Sequence, residues 1–248
     1  MKVSIVTVAY NSEKTIEDTI QSVIKQDYPD MEYIIIDGGS KDGTMDIVNR
    51  YADQIDIIIS EPDKGIYDAM NKGVAKATGH IVGILNSDDF YIHEKIITKI
   101  TRTFTRKTDA VYADLVYVDQ ENTDKVMRKW ISGEYQSGAF IKGWMPPHPT
   151  FFVKKEVYEK FGSYSLDLRS AADYEFMLRV IHKHGIRLKY LPEIAVKMRA
   201  GGESNASLKN RIRANKEDRL AWEMNDIKPG KLTFLRKPLS KISQFILK

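Results

Sequence analysis

The sequence predicts an α/β protein with a doubly wound, mostly parallel sheet flanked by helices. Three observations predict it. Strand-like and helix-like patterns alternate four times within about the first ninety residues. The first apolar stretch, residues 3–8 (VSIVTV), is a β-branched run of the kind found in strands buried on both faces. Polar breaks at Tyr10-Asn11, Asp37 and Asp88-Asp89 close three of the strands. They fall at the carboxyl edge, where open α/β sheets bind ligands.

Each element has its own reason. Ile16, Ile20, Val23 and Ile24 recur at helical spacing, with Ser12 as the expected N-cap. Residues 33–36 form the second strand, closed by a Gly-rich turn, and residues 45–51 a helix. Residues 56–60 are the third strand and residues 67–77 a helix stopped by Gly79. Residues 81–85 are the fourth strand. A helix over 96–104 and a strand over 110–118 follow, and residues 125–130 pair with that strand. A proline-rich loop (144–149), a short strand (150–153), a helix around Val157 and a helix over 171–182 come next. Two strands, 187–191 and 194–198, precede a flexible loop and a polar helix over 206–224.

Composition narrows the function. With 42% hydrophobic residues in 248, the chain can bury one substantial core with an appendage. The absence of cysteine removes disulfides and thiolate metal ligands, and suits a reducing compartment. No apolar run of membrane-spanning length occurs, and the first residues enter a strand without a signal-peptide pattern. A cytosolic protein is expected. The net charge of +4 is uneven: residues 205–248 carry +7 and the remainder −3, so the basic character belongs to the tail.

The stretch Asn86-Ser87-Asp88-Asp89 has two readings. Adjacent carboxylates cap a helix beginning near His93, or they hold a divalent cation that holds a diphosphate. Tyr10 is a core-edge aromatic or a ring that stacks on a base. Asp37 is a turn-forming Asp before Gly-Gly or an acceptor for a base N–H. The sequence has no GxGxxG in its first turn, no GxxxxGK[ST] and no GxSxG.

Six segments in order carry a resemblance: VSIVTVAYNSEKTIEDTIQSVIKQ, YIIIDGGSKDGT, DKGIYDAMNKGVAKATG, ILNSDDF, HPTFF and AADYEFMLRV. Over roughly residues 3–198 the sequence resembles the inverting, family-two glycosyltransferases of the GT-A fold that build bacterial cell-surface polysaccharides. The resemblance implies a hexosyltransferase-type domain over 1–204, with a nucleotide-binding half (1–110) and an acceptor half (111–204), and a helical basic tail over 205–248. It implies that Val8, Tyr10 and Asp37 hold the base, that Asn11 also binds the nucleotide sugar, and that Asp68 and Asn71 line the nucleotide cleft. It places Ser87, Asp88 and Asp89 at the ribose and metal, with Asp88 and Asp89 as ligands for Mg²⁺ or Mn²⁺. It makes Asp173 the catalytic base and puts His148 on the acceptor or diphosphate side. The donor is expected to be a UDP-sugar and the acceptor a saccharide or lipid-linked saccharide. Two departures stand out: many members are acidic where Asn86 stands, and Ala172 replaces the usual Glu before the base.

Alternatives remain at several positions. Asp173 is otherwise an N-terminal helix carboxylate, and His148 a loop histidine between prolines. Trp144 stacks on an acceptor sugar or packs structurally. Arg199 reaches the diphosphate when the Gly201-Gly202 loop closes, or is a solvated charge. Rival functions are a sugar-phosphate nucleotidyltransferase, whose Gly-rich, Arg-bearing first loop is missing here, and a non-catalytic nucleotide-sugar-binding protein. In residues 228–248, Leu235, Leu239, Ile242 and Ile246 share a helical stripe with six basic residues and no acidic one. That pattern suits peripheral contact with an anionic membrane, or docking on the protein's own core or a second copy. A nucleic-acid partner has no use for the stripe.

Overall fold

The computed structural model describes residues 1–201, 208–230 and 233–234. In chain order the first half contains β1 (Val3–Ala9), α1 (Ile16–Ile24), β2 (Met31–Asp37), α2 (Thr44–Arg50), β3 (Ile57–Ser60), α3 (Ile66–Lys76), β4 (Ile81–Asn86), β5 (Asp89–Tyr91) and α4 (Ile96–Thr103). The second contains β6 (Ala110–Val118), β7 (Val126–Trp130), β8 (Phe152–Lys154), α5 (Lys155–Phe161), α6 (Ala172–Met177), β9 (Leu188–Arg199) and α7 (Leu208–Met224).

The strands form one sheet ordered β3-β2-β1-β4-β8-β6-β9-β5, with β7 paired to β6. The first four are mutually parallel, as expected of successive βα units. β8 runs antiparallel to both β4 and β6, β9 parallel to β6, and β5 antiparallel to β9. Side chains of β1 alternate between two cores. Val6 and Val8 join α3, α5, α6 and α7 on one face; Val3, Ile5 and Ala9 join α1, α2 and α4 on the other.

Several local expectations are corrected. Ser12 does not cap α1, which starts at Ile16 with Thr15 before it and no side-chain cap. The Ser12 carbonyl accepts from the Thr15 and Ile16 amides instead, and its hydroxyl faces that of Ser87 at 2.7 Å. Gly79 does not stop α3, which ends at Lys76. Its small size serves a close approach, because a Cβ there would lie 2.6 Å from the Ser4 amide nitrogen. The two strands expected over 187–198 are one, β9. Its register against β6 jumps from Tyr190 to Ile194, around Pro192, which cannot donate to the ladder. The helix over 171–182 is α6 followed by a π-helical stretch, Leu178–Lys183.

α7 belongs to the core through Ala221 and Trp222, whose indole N–H donates to the Tyr174 hydroxyl at 2.8 Å. Its Glu217 accepts from the backbone amides of Arg169 (3.1 Å) and Ser170 (2.7 Å), just ahead of α6. Residues 235–248, which carry the amphipathic stripe, lie outside the described residues. No helix among the described residues is long and apolar enough to cross a membrane.

Glu32 joins the base of the first two strands to the segment after α3. It accepts from the Ser4 hydroxyl (2.5 Å), the Thr78 amide (2.8 Å), the Thr78 hydroxyl (2.6 Å) and Lys2 (3.0 Å). Burial alone would raise its pKa, but these donors outweigh burial and bring it down to about 2. A depressed carboxylate stabilises the fold above its unfolded pKa, and the gain is lost as pH falls from about 4.5 to about 2. Glu32→Gln is expected to destabilise the protein by about 2–3 kcal/mol at neutral pH. Urea titrations at pH 7 and pH 3 check this: the gap between the variants should shrink at the lower pH.

Candidate active site

Three strands end level at the carboxyl edge. Ala9 is opposite Asp37, and Val8 opposite Asn86. The Gly38 amide donates to the Ala9 carbonyl (2.9 Å) and the Ser87 amide to the Val8 carbonyl (3.2 Å). Val8 is buried, while Tyr10, two residues on, is 62% exposed, so its ring is open for a planar group to stack on. Asn11 sits in the left-handed region (φ 49°), which a short amide side chain tolerates. It bridges to the second turn, accepting from the Lys41 amide (2.8 Å) and donating its own amide to the Ser40 hydroxyl (2.8 Å).

Asp37 is fully buried and serves its own turn. Its carboxylate accepts from the amides of Gly39 (3.1 Å) and Ser40 (3.0 Å) and from the hydroxyls of Ser60 (2.7 Å) and Ser40. A second carboxylate, Asp63, not anticipated from the sequence, adjoins Gly38 as Tyr10 does. A Cβ on Gly38 would lie 2.4 Å from Asp63 Oδ2 and 3.4 Å from the Tyr10 ring, so the three residues frame a cradle that any side chain would fill. Asp63 is set by the turn it belongs to: its Oδ1 accepts from the Gly65 amide at 2.7 Å, and Gly65 has a φ of 114°. Asp68 accepts from the Lys64 amide (3.1 Å) and faces Lys72 (3.6 Å). Asn71 turns away from this cradle. Its amide clasps the 163–164 segment, donating to the Tyr164 carbonyl (2.8 Å) and accepting from the Ser163 hydroxyl (2.5 Å) and the Tyr164 amide (2.9 Å).

The acidic pair caps no helix: Asp89 begins β5, and α4 starts only at Ile96. The two side chains differ in setting. Asp89 is fully buried and neither carboxylate oxygen meets a donor in good geometry. Burial and then the charge of Asp88 push its pKa well above the usual range, opposed in part by Arg199. Asp88 is partly open. Burial raises its pKa too, while His148 and Arg199 pull it back. Among the described residues no cluster of three or more His, Cys, Asp or Glu could enclose an ion. An ion here would complete its shell with phosphate oxygens and water, as Mg²⁺ does when held by one or two carboxylates. The oxygen donor at Asp88 fits that mode, and beside it the side-chain oxygen of Asn86 is buried without a partner.

Asp173 lies across from this tip, in the first turn of α6. Its Oδ1 accepts from the Tyr67 hydroxyl at 2.9 Å, and its Oδ2 lies 3.5 Å from His148 Nδ1. The other ring nitrogen of His148 is 3.3 Å from the Asn86 amide nitrogen. One imidazole therefore bridges the carboxylate on α6 and the end of β4.

The Glycosyl transferase family 2 signature matches residues 4–166, about two thirds of the chain. The chain belongs to glycosyl transferase family 2. Among relatives of this glycosyltransferase is an uncharacterized glycosyltransferase of Mycobacterium tuberculosis, 30% identical over 186 residues that cover 71% of this chain and 68% of the relative. The fold is that of solved GT-A structures. Staphylococcus aureus TarS 1–349 in complex with UDP superposes with a TM-score of 0.66 at 18% identity, covering 92% of this chain and 68% of that one. The mannosyltransferase PcManGT of Pyrobaculum calidifontis, in complex with GDP-Man and Mn²⁺, gives 0.67 at 21% identity, covering 99% and 70%.

Two further positions of the glycosyltransferase read differently in three dimensions. Arg199 is not a solvated charge; it is 5% exposed. Its guanidinium donates to the backbone carbonyls of Asp88 (2.9 Å) and Gln120 (3.3 Å) and to the Asp18 carboxylate, and lies over the Phe90 ring. It braces the acidic tip from below. The Trp144 indole donates to the Ser132 carbonyl (2.8 Å) and meets Tyr112 and Phe140 edge-on, so it packs against the second half of the chain. Asp63 and Tyr67 were missed because they precede and open an apolar helix stripe that reads as core. The signal for Asp63 was the Asp-Lys-Gly turn.

Proposed function

We propose that this chain is an inverting, divalent-metal-dependent glycosyltransferase. It moves a sugar from a nucleotide diphosphate sugar to a saccharide or lipid-linked saccharide in cell-surface polysaccharide synthesis. The observation that carries the reading is the His148 bridge. It joins the Asp173 carboxylate to Asn86, two residues before Asp88. A nucleotidyltransferase has no need of a carboxylate facing the diphosphate side in this way, and family membership favours sugar transfer.

Tyr10 offers its open ring to the base, and the Asp63 carboxylate beside it offers an acceptor to a base N–H. Asp88 is the residue that would hold Mg²⁺ or Mn²⁺, which when bound neutralises charge on the departing diphosphate. Asp89 is fully buried and opens β5, so the ion is assigned to Asp88 alone. Asp173 takes the proton of the acceptor hydroxyl. The acceptor oxygen bonds to the anomeric carbon as the bond from that carbon to the diphosphate oxygen breaks, and this single displacement inverts the centre. His148 and Tyr67 hold the carboxylate in place. The donor complexes of the two structural neighbours, with UDP and with GDP-Man and Mn²⁺, support a nucleotide sugar and leave the base to experiment.

Thermal-shift titration with UDP, GDP and CDP and their sugars, with and without Mn²⁺, tests the reading. One nucleotide at about 100 times its Kd should stabilise the fold by about 2.7 kcal/mol. That raises Tm by about 5–10 °C for a chain of this size, and only with the ion present. No shift with any nucleotide diphosphate overturns the reading.

A further inference from the structure

The support of Asp173 comes from the opposite half of the molecule. Tyr67 stands in the first turn of α3, the helix that begins just after the Asp63–Gly65 turn, and is 8% exposed. Its hydroxyl donates to Asp173 Oδ1 at 2.9 Å across 106 residues of sequence. The phenol has little freedom to swing away. Its ring stacks on Tyr164, with centroids 5.9 Å apart and planes at 27°. Tyr164 is itself held to α3 by Asn71, one turn beyond Tyr67 on the same helix face. The Tyr164 hydroxyl lies 3.3 Å from that of Tyr158. One helix therefore supplies both the hydroxyl that grips the carboxylate and the amide that fixes the ring beneath it.

Asp173 has neighbours on each side. Tyr67 reaches it from α3 and His148 from the proline-rich loop, and its charge is also felt at Tyr164, in the 163–164 segment, and at Tyr117 of β6. Of these, Tyr67 makes the short bond. Burial, together with the Asp173 charge, holds the Tyr67 pKa well above that of an ordinary phenol, so the hydroxyl remains a donor at any working pH.

We propose that Tyr67 is a positioning residue for the reaction: its hydroxyl ties down Oδ1 of Asp173, so that Oδ2, on the His148 side, is presented to the acceptor hydroxyl. The proposal rests on Asp173 being the general base. It gives α3 a second task. The helix that opens beside the donor cradle at its N-terminus also sets the aim of the base.

Tyr67→Phe keeps the ring and its stack and removes only the hydroxyl. Misplacing a reacting group by about 1 Å costs up to roughly a hundredfold, so a freed carboxylate should lower kcat of transfer by about 10–100-fold. The KM for the donor and the Kd for UDP with Mn²⁺ should stay within about twofold. In an Asp173→Asn background the same substitution should have no further effect on kcat, because the group it aims is gone. An unchanged kcat in Tyr67→Phe overturns the proposal. So does an equal loss in both backgrounds, or a fall in kcat matched by loss of UDP binding, since each marks a purely structural tyrosine. If Asp173→Asn alone keeps full transfer, the base assignment fails first, whatever Tyr67 does.

Discussion

Asp173→Asn is expected to lower kcat for sugar transfer by about 10²–10⁴-fold, the range for loss of a general base, with UDP affinity unchanged. The substitution is nearly isosteric. The amide oxygen can still accept from Tyr67, so the helix keeps its seat. What disappears is the capacity to take a proton. Steady-state transfer assays paired with UDP titration in the presence of Mn²⁺ separate the two effects. Transfer at the wild-type rate would remove Asp173 from the chemistry. Loss of UDP binding along with activity would mean that the residue shapes the cleft instead.

Asp88 and Asp89 are expected to part company on mutation. Asp88→Asn should lower kcat by about 10²-fold or more, since neutralising the departing diphosphate is worth several kcal/mol. It should also weaken Mn²⁺ binding, which electron paramagnetic resonance can read with UDP present. Asp89→Asn should leave activity and Mn²⁺ affinity within a few-fold of the parent. Asp89 is fully buried, and its pKa is pushed well above the ordinary range. A neutral amide of the same shape therefore relieves the burial cost of a charge. The reverse pattern, with Asp89→Asn dead and Asp88→Asn active, would move the ion to the inner carboxylate and overturn the assignment made here.

The parallel half of the fold was legible because its signals are local. Each β-branched run and each apolar stripe declares itself within about a dozen residues, and β1 to β4 follow those runs closely. The second half depends on pairings between distant segments. β5 is three residues long and opens with Asp89, so it read as loop; only β9 gives it a partner. Pro192 split the reading of β9 in two, although the strand continues beyond the bulge. The site followed the same division. Tyr10, Asp37 and Asp88 stood out by residue type at element ends, and Asp173 only through the family resemblance. Asp63 and Tyr67 did not, because only the folded chain shows one beside Gly38 and the other on the Asp173 carboxylate. Neither reading offered for Arg199 found its place, because its partners, Asp18 and the Asp88 carbonyl, lie 181 and 111 residues away.

That last pair of contacts bears on the order in which the molecule is built. β1 to β4 and their helices draw on the first 86 residues, and can collapse through neighbouring units. The Arg199 brace is different: it needs β9 laid between β6 and β5 before it can reach Asp18, which closes one of the longest loops in the chain. Contacts of such separation carry the larger loop-closure cost. The acidic tip is thus held by a residue from the far end of the sheet, and its setting depends on the whole fold being assembled.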